Sequence, residues 1–283
     1  PPMSEPRSVP APASGSIAGA DGTRLTWYRW DAPRPLGGVV LVHGFGDHAG
    51  RFEELVRILV GRGYSVFAYD SRGHGRSDGK RGHADRFELF LEDLDLVWTE
   101  AARVLPAPLF LYGHSFGGLT SIRWLQTRSV RPAAVILSAP WLAIEMPVPV
   151  WKRMASQVLL RLAPALTISS GASRPEFLTR DPMRVADYRA DTRVHNRISA
   201  RFYFETLGAQ AAARAVGLPR GLPVLLFVPG DDRLVSAPAT LAWAREKAPE
   251  AEVRIREGGR HELHNDVDRE AVLADAADWM EIG

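Results

Sequence analysis

Short apolar runs alternate along this chain with amphipathic stretches, and the repeat changes from two residues to about three and a half as they do so. Residues 23–30 alternate behind Asp21-Gly22, which predicts an N-terminal antiparallel hairpin. Near-continuous apolar runs at 37–42, 64–69, 109–112, 134–137 and 224–228 read as buried strands, and 252–256 as a further one. Between them, 51–60 carries Phe52, Leu55, Val56 and Leu59 at helical spacing and is closed by Gly61 and Gly63. Residues 87–105, 118–126, 238–247 and 265–280 read as further helices. Strands alternating with helices predict an α/β fold with a mainly parallel central sheet and helices on both faces.

The alternation stops at Trp141 and resumes after about residue 221. Pro147, Pro149, Pro164, Pro175 and Pro182 divide this stretch into short helical pieces. The pattern predicts a core built from 15–140 and 222–283, with 141–221 inserted as a helical cap. Residues 1–14 are rich in Pro, Ala and Ser and lack the apolar stretch of a signal peptide, so they read as a flexible tail.

The chain has 283 residues, 46% of them hydrophobic and 24% charged, as in an ordinary globular protein. A formal net charge of +2 argues against a dedicated nucleic-acid surface. No cysteine is present, which excludes a disulfide framework, a thiolate metal site and a Cys nucleophile, and which fits a cytoplasmic location. No apolar run approaches the ~20 residues of a membrane-spanning helix. No histidine and carboxylate set has metal-ligand spacing, so neither a metal nor a cofactor is expected.

Gly113-His114-Ser115-Phe116-Gly117, between a predicted strand and a predicted helix, has the G-x-S-x-G form of a nucleophile elbow. A serine hydroxyl needs a base within hydrogen-bond reach and a third group to orient that base. In this arrangement the acid and then the base follow the serine on loops after later strands. The run 224–228 leads into Gly230-Asp231-Asp232, so either aspartate qualifies as the acid. Of the histidines after them, His261 directly follows the turn that ends 252–256 and reads as the base, while His264 sits near the start of the last helix. Two N–H groups are needed for an oxyanion. Phe116, just after the serine, and Phe45, in His43-Gly44-Phe45-Gly46, are placed to supply them. His43 precedes the nucleophile and, like His114, is read as structural; His74 and His83 are read as polar-loop residues.

Several of these stretches resemble the monoacylglycerol lipases and lysophospholipase-like serine hydrolases of the α/β-hydrolase superfamily. They are His43-Gly44-Phe45-Gly46-Asp47-His48 with Arg51, the loop Asp70-Ser71-Arg72-Gly73-His74-Gly75, Gly113 to Gly118, Gly230 to Val235, and Gly259 to His264. The resemblance runs from about residue 15 to the end. It implies an α/β-hydrolase fold with a cap, a triad of Ser115, Asp232 and His261, and hydrolysis of monoacylglycerols through an acyl-enzyme. It implies a polar head-group end made by Asp47, Arg51 and His264. The rings of Phe45 and Phe116 are expected to narrow the acyl entrance. Trp141, Leu142, Ile144, Met154 and Leu159 are expected to line the acyl site.

The expected partner is a lipid ester, with peripheral membrane contact through the apolar segment 147–163 and its cationic flanks Lys152, Arg153 and Arg161. Alternatives that keep the triad are a lysophospholipase, a general carboxylesterase and an aminopeptidase. The last would use cap carboxylates such as Glu176, Asp181, Asp187 or Asp191 to hold a free amine. A dehalogenase or epoxide hydrolase is disfavoured because its elbow carries Asp where this chain has Ser115. A ligand receptor on the same fold is the non-enzyme alternative.

Overall fold

The structure, a computed structural model, describes residues 11–145, 148–171 and 174–282; the first ten residues of the expected tail and Pro147 lie outside the described residues. The strands are β1 (Ala13–Ala18), β2 (Arg24–Trp30), β3 (Gly37–Val42), β4 (Tyr64–Tyr69), β5 (Leu109–His114), β6 (Ala134–Ser138), β7 (Thr167–Ser169), β8 (Arg197–Ser199), β9 (Val224–Pro229) and β10 (Glu252–Arg256). Eight of them form one sheet in the order β1-β2-β4-β3-β5-β6-β9-β10. From β4 to β10 every neighbouring pair is parallel, and the hairpin β1–β2 adds an antiparallel edge. Ala13 and Ser14, expected in the tail, begin β1, where they pair with Arg29 and Tyr28.

The helices are α1 (Glu53–Gly61), α2 (Glu88–Val104), α3 (Phe116–Thr127), α4 (Val150–Leu162), α5 (Pro175–Leu178), α6 (Pro182–Ala190), α7 (Ala200–Ala215), α8 (Ala237–Lys247) and α9 (Arg269–Ile282). They cover both sheet faces because strand side chains alternate. Val40 and Val42 face one core with Leu94 of α2, Leu119 of α3, Phe202 of α7 and Trp243 of α8. Val39 and Leu41 face the other with Leu55 of α1 and Leu273 of α9. A strand buried on both faces has no polar positions to alternate, which is why these strands read as continuous apolar runs.

Two departures from expectation bear on the site. Segment 141–221 contains a small antiparallel ribbon, β7 with β8, in addition to α4 to α7. The terminal helix does not begin at Asn265. Residues 263–265 form a 3₁₀ turn and α9 starts at Arg269. The reason is Asp266, whose carboxylate accepts the backbone N–H groups of Arg180, Arg260 and Val267 and so holds the chain in an extended bend.

Candidate active site

The turn from β5 into α3 holds Ser115 at φ 53°, ψ −114°, outside the regions an L-residue normally occupies. Such a conformation costs about 1–3 kcal/mol and persists only where its surroundings over-determine it. Here the Ser115 N–H donates to the Ser138 carbonyl and the Ser115 carbonyl accepts from Trp141 N–H, both at 2.9 Å. The flanking glycines are dictated by space. A Cβ on Gly113 would lie 2.5 Å from Ser121 Oγ and 2.8 Å from the Gly117 carbonyl, and one on Gly117 would strike the carbonyls of Val42 and His43.

Loops after β9 and β10 bring two more side chains to this serine. His261 Nε2 lies 2.9 Å from Ser115 Oγ, and His261 Nδ1 lies 2.8 Å from Asp232 Oδ2. A carboxylate only accepts, so Nδ1–H donates to Asp232 and Nε2 is left to accept the serine proton. The second Asp232 oxygen accepts the N–H groups of Leu234 and Val235 at 2.8 and 3.0 Å, which fixes the carboxylate. Asp231 turns the other way, half-exposed, and pairs with Arg260 and Arg233. Burial disfavours the cationic form of His261. The Asp232 carboxylate, aided by those of Glu262 and Asp47, outweighs that and raises its pKa above the ordinary 6.5.

Phe116 is the first residue of α3, where an N–H has no carbonyl one turn earlier to bond. Phe45 lies on the facing loop after β3, and its N–H has no acceptor among the described residues. That loop is braced by His43, which donates from Nδ1 to the Gly44 carbonyl at 2.7 Å and accepts Ser71 N–H at Nε2, 2.9 Å. The Phe45 ring stacks on Phe202 and lies on the cavity wall. The Phe116 ring does not reach the entrance; it is buried against Phe87, Phe90 and Phe202.

Ser115 and His261 open onto a cavity of about 350 Å³. Much of its wall comes from segment 141–221, including Trp141, Ile144 and Leu159. Leu142 is fully buried in the core and Met154 is 63% exposed, so neither joins the wall. The polar end is made by Asp47, Arg51 and Glu262. Arg51 Nη1 donates to Asp47 Oδ1 at 3.1 Å and to Glu262 Oε1 at 2.7 Å, and Nη2 donates to Glu262 Oε2 at 2.6 Å. Burial raises the Asp47 pKa against the pull of Arg51. Burial would do the same to Glu262, but its paired contact with Arg51 prevails and the pKa falls to about 2.

His264 is not brought to this cavity. The 3₁₀ turn carries its ring back onto Phe52, stacked at 4.1 Å between centroids, and against His114 at 4.7 Å. Burial lowers its pKa to about 3. Glu262 is the residue that sequence reasoning passed over; the signal was an acid immediately beside His261 and a lone arginine at 51. His74, read as a polar-loop residue, is buried beside His43 and His195.

The family model described as "Serine aminopeptidase, S33" matches residues 33–268. The chain is similar to phospholipase YtpA of Bacillus subtilis, 32% identical over 249 residues, covering 87% of this chain and 95% of that one. It is similar to a monoacylglycerol lipase of Mycolicibacterium smegmatis, 32% identical over 277 residues, covering 94% and 95%. Among solved structures, the monoacylglycerol lipase of Paleococcus ferrophilus superposes with a TM-score of 0.80 at 33% identity, covering 90% of this chain and 98% of that one.

Proposed function

This chain belongs to the serine aminopeptidase S33 family of α/β-hydrolases, and from that premise we propose that it hydrolyses monoacylglycerols to fatty acid and glycerol, with Ser115 as nucleophile, His261 as base and Asp232 as orienting acid. The observation that carries this reading is the cavity itself. Ser115 with His261 opens onto a cavity whose wall is largely apolar and carries one ion-paired polar cluster, Asp47, Arg51 and Glu262. That division matches an ester with one acyl chain and a hydroxyl-bearing alcohol.

In the proposed mechanism Ser115 Oγ attacks the ester carbonyl as its proton passes to His261 Nε2. The carbonyl oxygen becomes an oxyanion received by the N–H groups of Phe45 and Phe116. The tetrahedral intermediate collapses, His261 returns the proton to the departing glycerol oxygen, and the acyl group stays on Ser115. Water, deprotonated by the same imidazole, then releases the fatty acid. Asp232 stabilises the imidazolium in both halves.

Segment 141–221 acts as a cap over this cavity. Each methylene of the acyl chain buried there contributes about 0.8 kcal/mol, which favours medium and long chains over acetyl. A second acyl chain would have to enter the polar end and leave buried polar groups unpaired, at about 1–3 kcal/mol each. The protein acts as a cytoplasmic enzyme that meets lipid surfaces peripherally through α4. An aminopeptidase reading is not favoured. Glu176, Asp181 and Asp187 pair with Arg189, Arg269 and Arg184, Asp191 pairs with His48 and Arg193, and none of the four lies on the cavity wall.

A hydrolysis panel tests the proposal. Monooctanoylglycerol should give a higher kcat/KM than dioctanoylglycerol, glyceryl monoacetate and a prolyl amide. Equal cleavage of the diacylglycerol, or preference for the acetate, would make the protein a general esterase.

A further inference from the structure

The polar end of the cavity carries one cation and two carboxylates, and the cation is committed. Both terminal nitrogens of Arg51 are held by Glu262, in a paired contact at 2.6 and 2.7 Å, and one also by Asp47. The guanidinium face is covered by the Tyr188 ring, whose centroid is 4.8 Å from Cζ. Glu262 is itself fixed, since Oε2 also accepts from Asn265 Nδ2 at 2.9 Å. Arg51 and Glu262 are nearly inaccessible, at 10% and 4% side-chain exposure, so water screens little of the interaction. The arginines nearby are also held by carboxylates. Arg193 pairs with Asp191, Arg184 with Glu54, and His48 bonds Asp191. Lys152, on the cavity wall, comes from α4 and lies over Trp151.

An arginine at the end of a lipid cavity would ordinarily be a receptor for phosphate, because its planar fork matches that group. Here the fork is occupied by a carboxylate of the protein. A phosphate arriving at this end meets two carboxylates that share a single guanidinium, and would have to displace a buried ion pair. Hydroxyl groups carry no such penalty, and Asp47 Oδ2 is buried with no hydrogen-bond partner among the described residues.

We propose that Glu262 is a specificity-determining residue: by occupying Arg51 it excludes esters with anionic head groups and reserves the cavity for esters of uncharged, hydroxyl-bearing alcohols. The inference rests on the proposed monoacylglycerol reading for the identity of the preferred substrate, but not for the direction of the charge discrimination. It is an exclusion built from the protein's own charge, so its removal should widen the substrate range.

The test compares monooctanoylglycerol with octanoylglycerol phosphate, both as monomers in solution, on the unaltered protein and on Glu262→Gln. The unaltered protein should prefer the uncharged ester in kcat/KM by at least about tenfold. In Glu262→Gln that preference should shrink by at least about tenfold, through a lower KM for the phosphate ester. A merely structural role would depress both substrates alike and leave the ratio unchanged. An unchanged ratio in a folded variant overturns the proposal, as does phosphate-ester cleavage by the unaltered protein equal to that of the uncharged ester. Should Glu262→Gln not fold, the unaltered protein decides. Octylglycerol ether should inhibit hydrolysis of p-nitrophenyl butyrate at least about tenfold more tightly than its phosphate. Equal or tighter binding of the phosphate overturns the inference. A protein that cleaves the nitrophenyl ester but not monooctanoylglycerol refutes the proposed substrate, while the ether comparison still judges Glu262.

Discussion

Gly46 and His195 are joined backbone to backbone: the His195 N–H donates to the Gly46 carbonyl at 2.9 Å, and a Cβ on Gly46 would collide with the His195 carbonyl. The same device recurs four residues on, where Ser199 N–H donates to the Gly82 carbonyl at 2.9 Å and a Cβ on Gly82 would strike the Arg197 backbone. Two core loops thus grip the inserted segment through glycines, one of them adjacent to Phe45.

Gly46 has φ +73°, so Gly46→Ala adds backbone strain to the collision. The loop carrying the Phe45 N–H must shift, and a displacement of about 1 Å near the chemistry can cost about 10²-fold in rate. We expect kcat to fall by about 10- to 100-fold and the inserted segment to become more sensitive to protease. Gly61→Ala, where a Cβ meets nothing within 4 Å, should leave kcat unchanged.

The two adjacent aspartates separate the roles in the β9 loop. Asp232→Asn should leave His261 in the wrong tautomer and lower kcat by about 10⁴-fold, as in the template triad. Asp231→Asn should cost far less, because that carboxylate is 43% exposed and serves Arg233 and Arg260. Ser115→Ala should lower kcat by about 10⁵- to 10⁶-fold in a protein that still folds. Steady-state rates on a nitrophenyl ester decide all three, and a reversed ranking of the aspartates moves the acid by one residue.

What could be read from the chain follows from how local each feature is. β3 and β4 were legible because strands covered on both faces are apolar throughout, and the elbow because its backbone leaves no room for side chains at 113 and 117. The β7–β8 ribbon was not, since three-residue strands carry no period and their partners lie thirty residues apart. The late start of α9 depends on one carboxylate, Asp266, gathering N–H groups from residues as distant as Arg180. Glu262 and His264 needed the turn's direction: it sends the glutamate to Arg51 and the histidine behind Phe52, a choice that spacing alone leaves open.

The carboxylates around His261 set a pH dependence. The base must be neutral to accept the serine proton, and its pKa is raised above 6.5 because Asp232, Glu262 and Asp47 outweigh burial. Activity should therefore fall as pH drops through a value above 6.5. Glu262→Gln removes one of these charges and should move the acid limb to lower pH. A kcat/KM profile on p-nitrophenyl butyrate measures both. A limb at or below the ordinary histidine value, or one displaced upward in the variant, contradicts the account.

The helix α4 has two distinct faces. Lys152, Ala155, Ser156 and Leu159 line the cavity. Val150, Met154, Val158 and Leu162, four residues apart, are 71%, 63%, 55% and 79% exposed and make an outward apolar stripe. A soluble protein gains nothing by leaving such a stripe in water, whereas an interfacial helix buries it in the head-group region, with Arg153 and Arg161 available to anionic lipid. Replacing Met154 and Val158 together by Asp removes two apolar contacts and adds two negative charges. Partitioning onto vesicles containing phosphatidylglycerol should fall by at least about tenfold, since each residue contributes on the order of 1 kcal/mol or more at such a surface. Hydrolysis of a soluble short-chain ester should be unchanged, because neither residue touches the cavity. Co-sedimentation and steady-state assays on the same preparation separate the two effects. Vesicle binding that is absent in the unaltered protein, or equal in the double variant, would leave α4 as the roof of the cavity and nothing more.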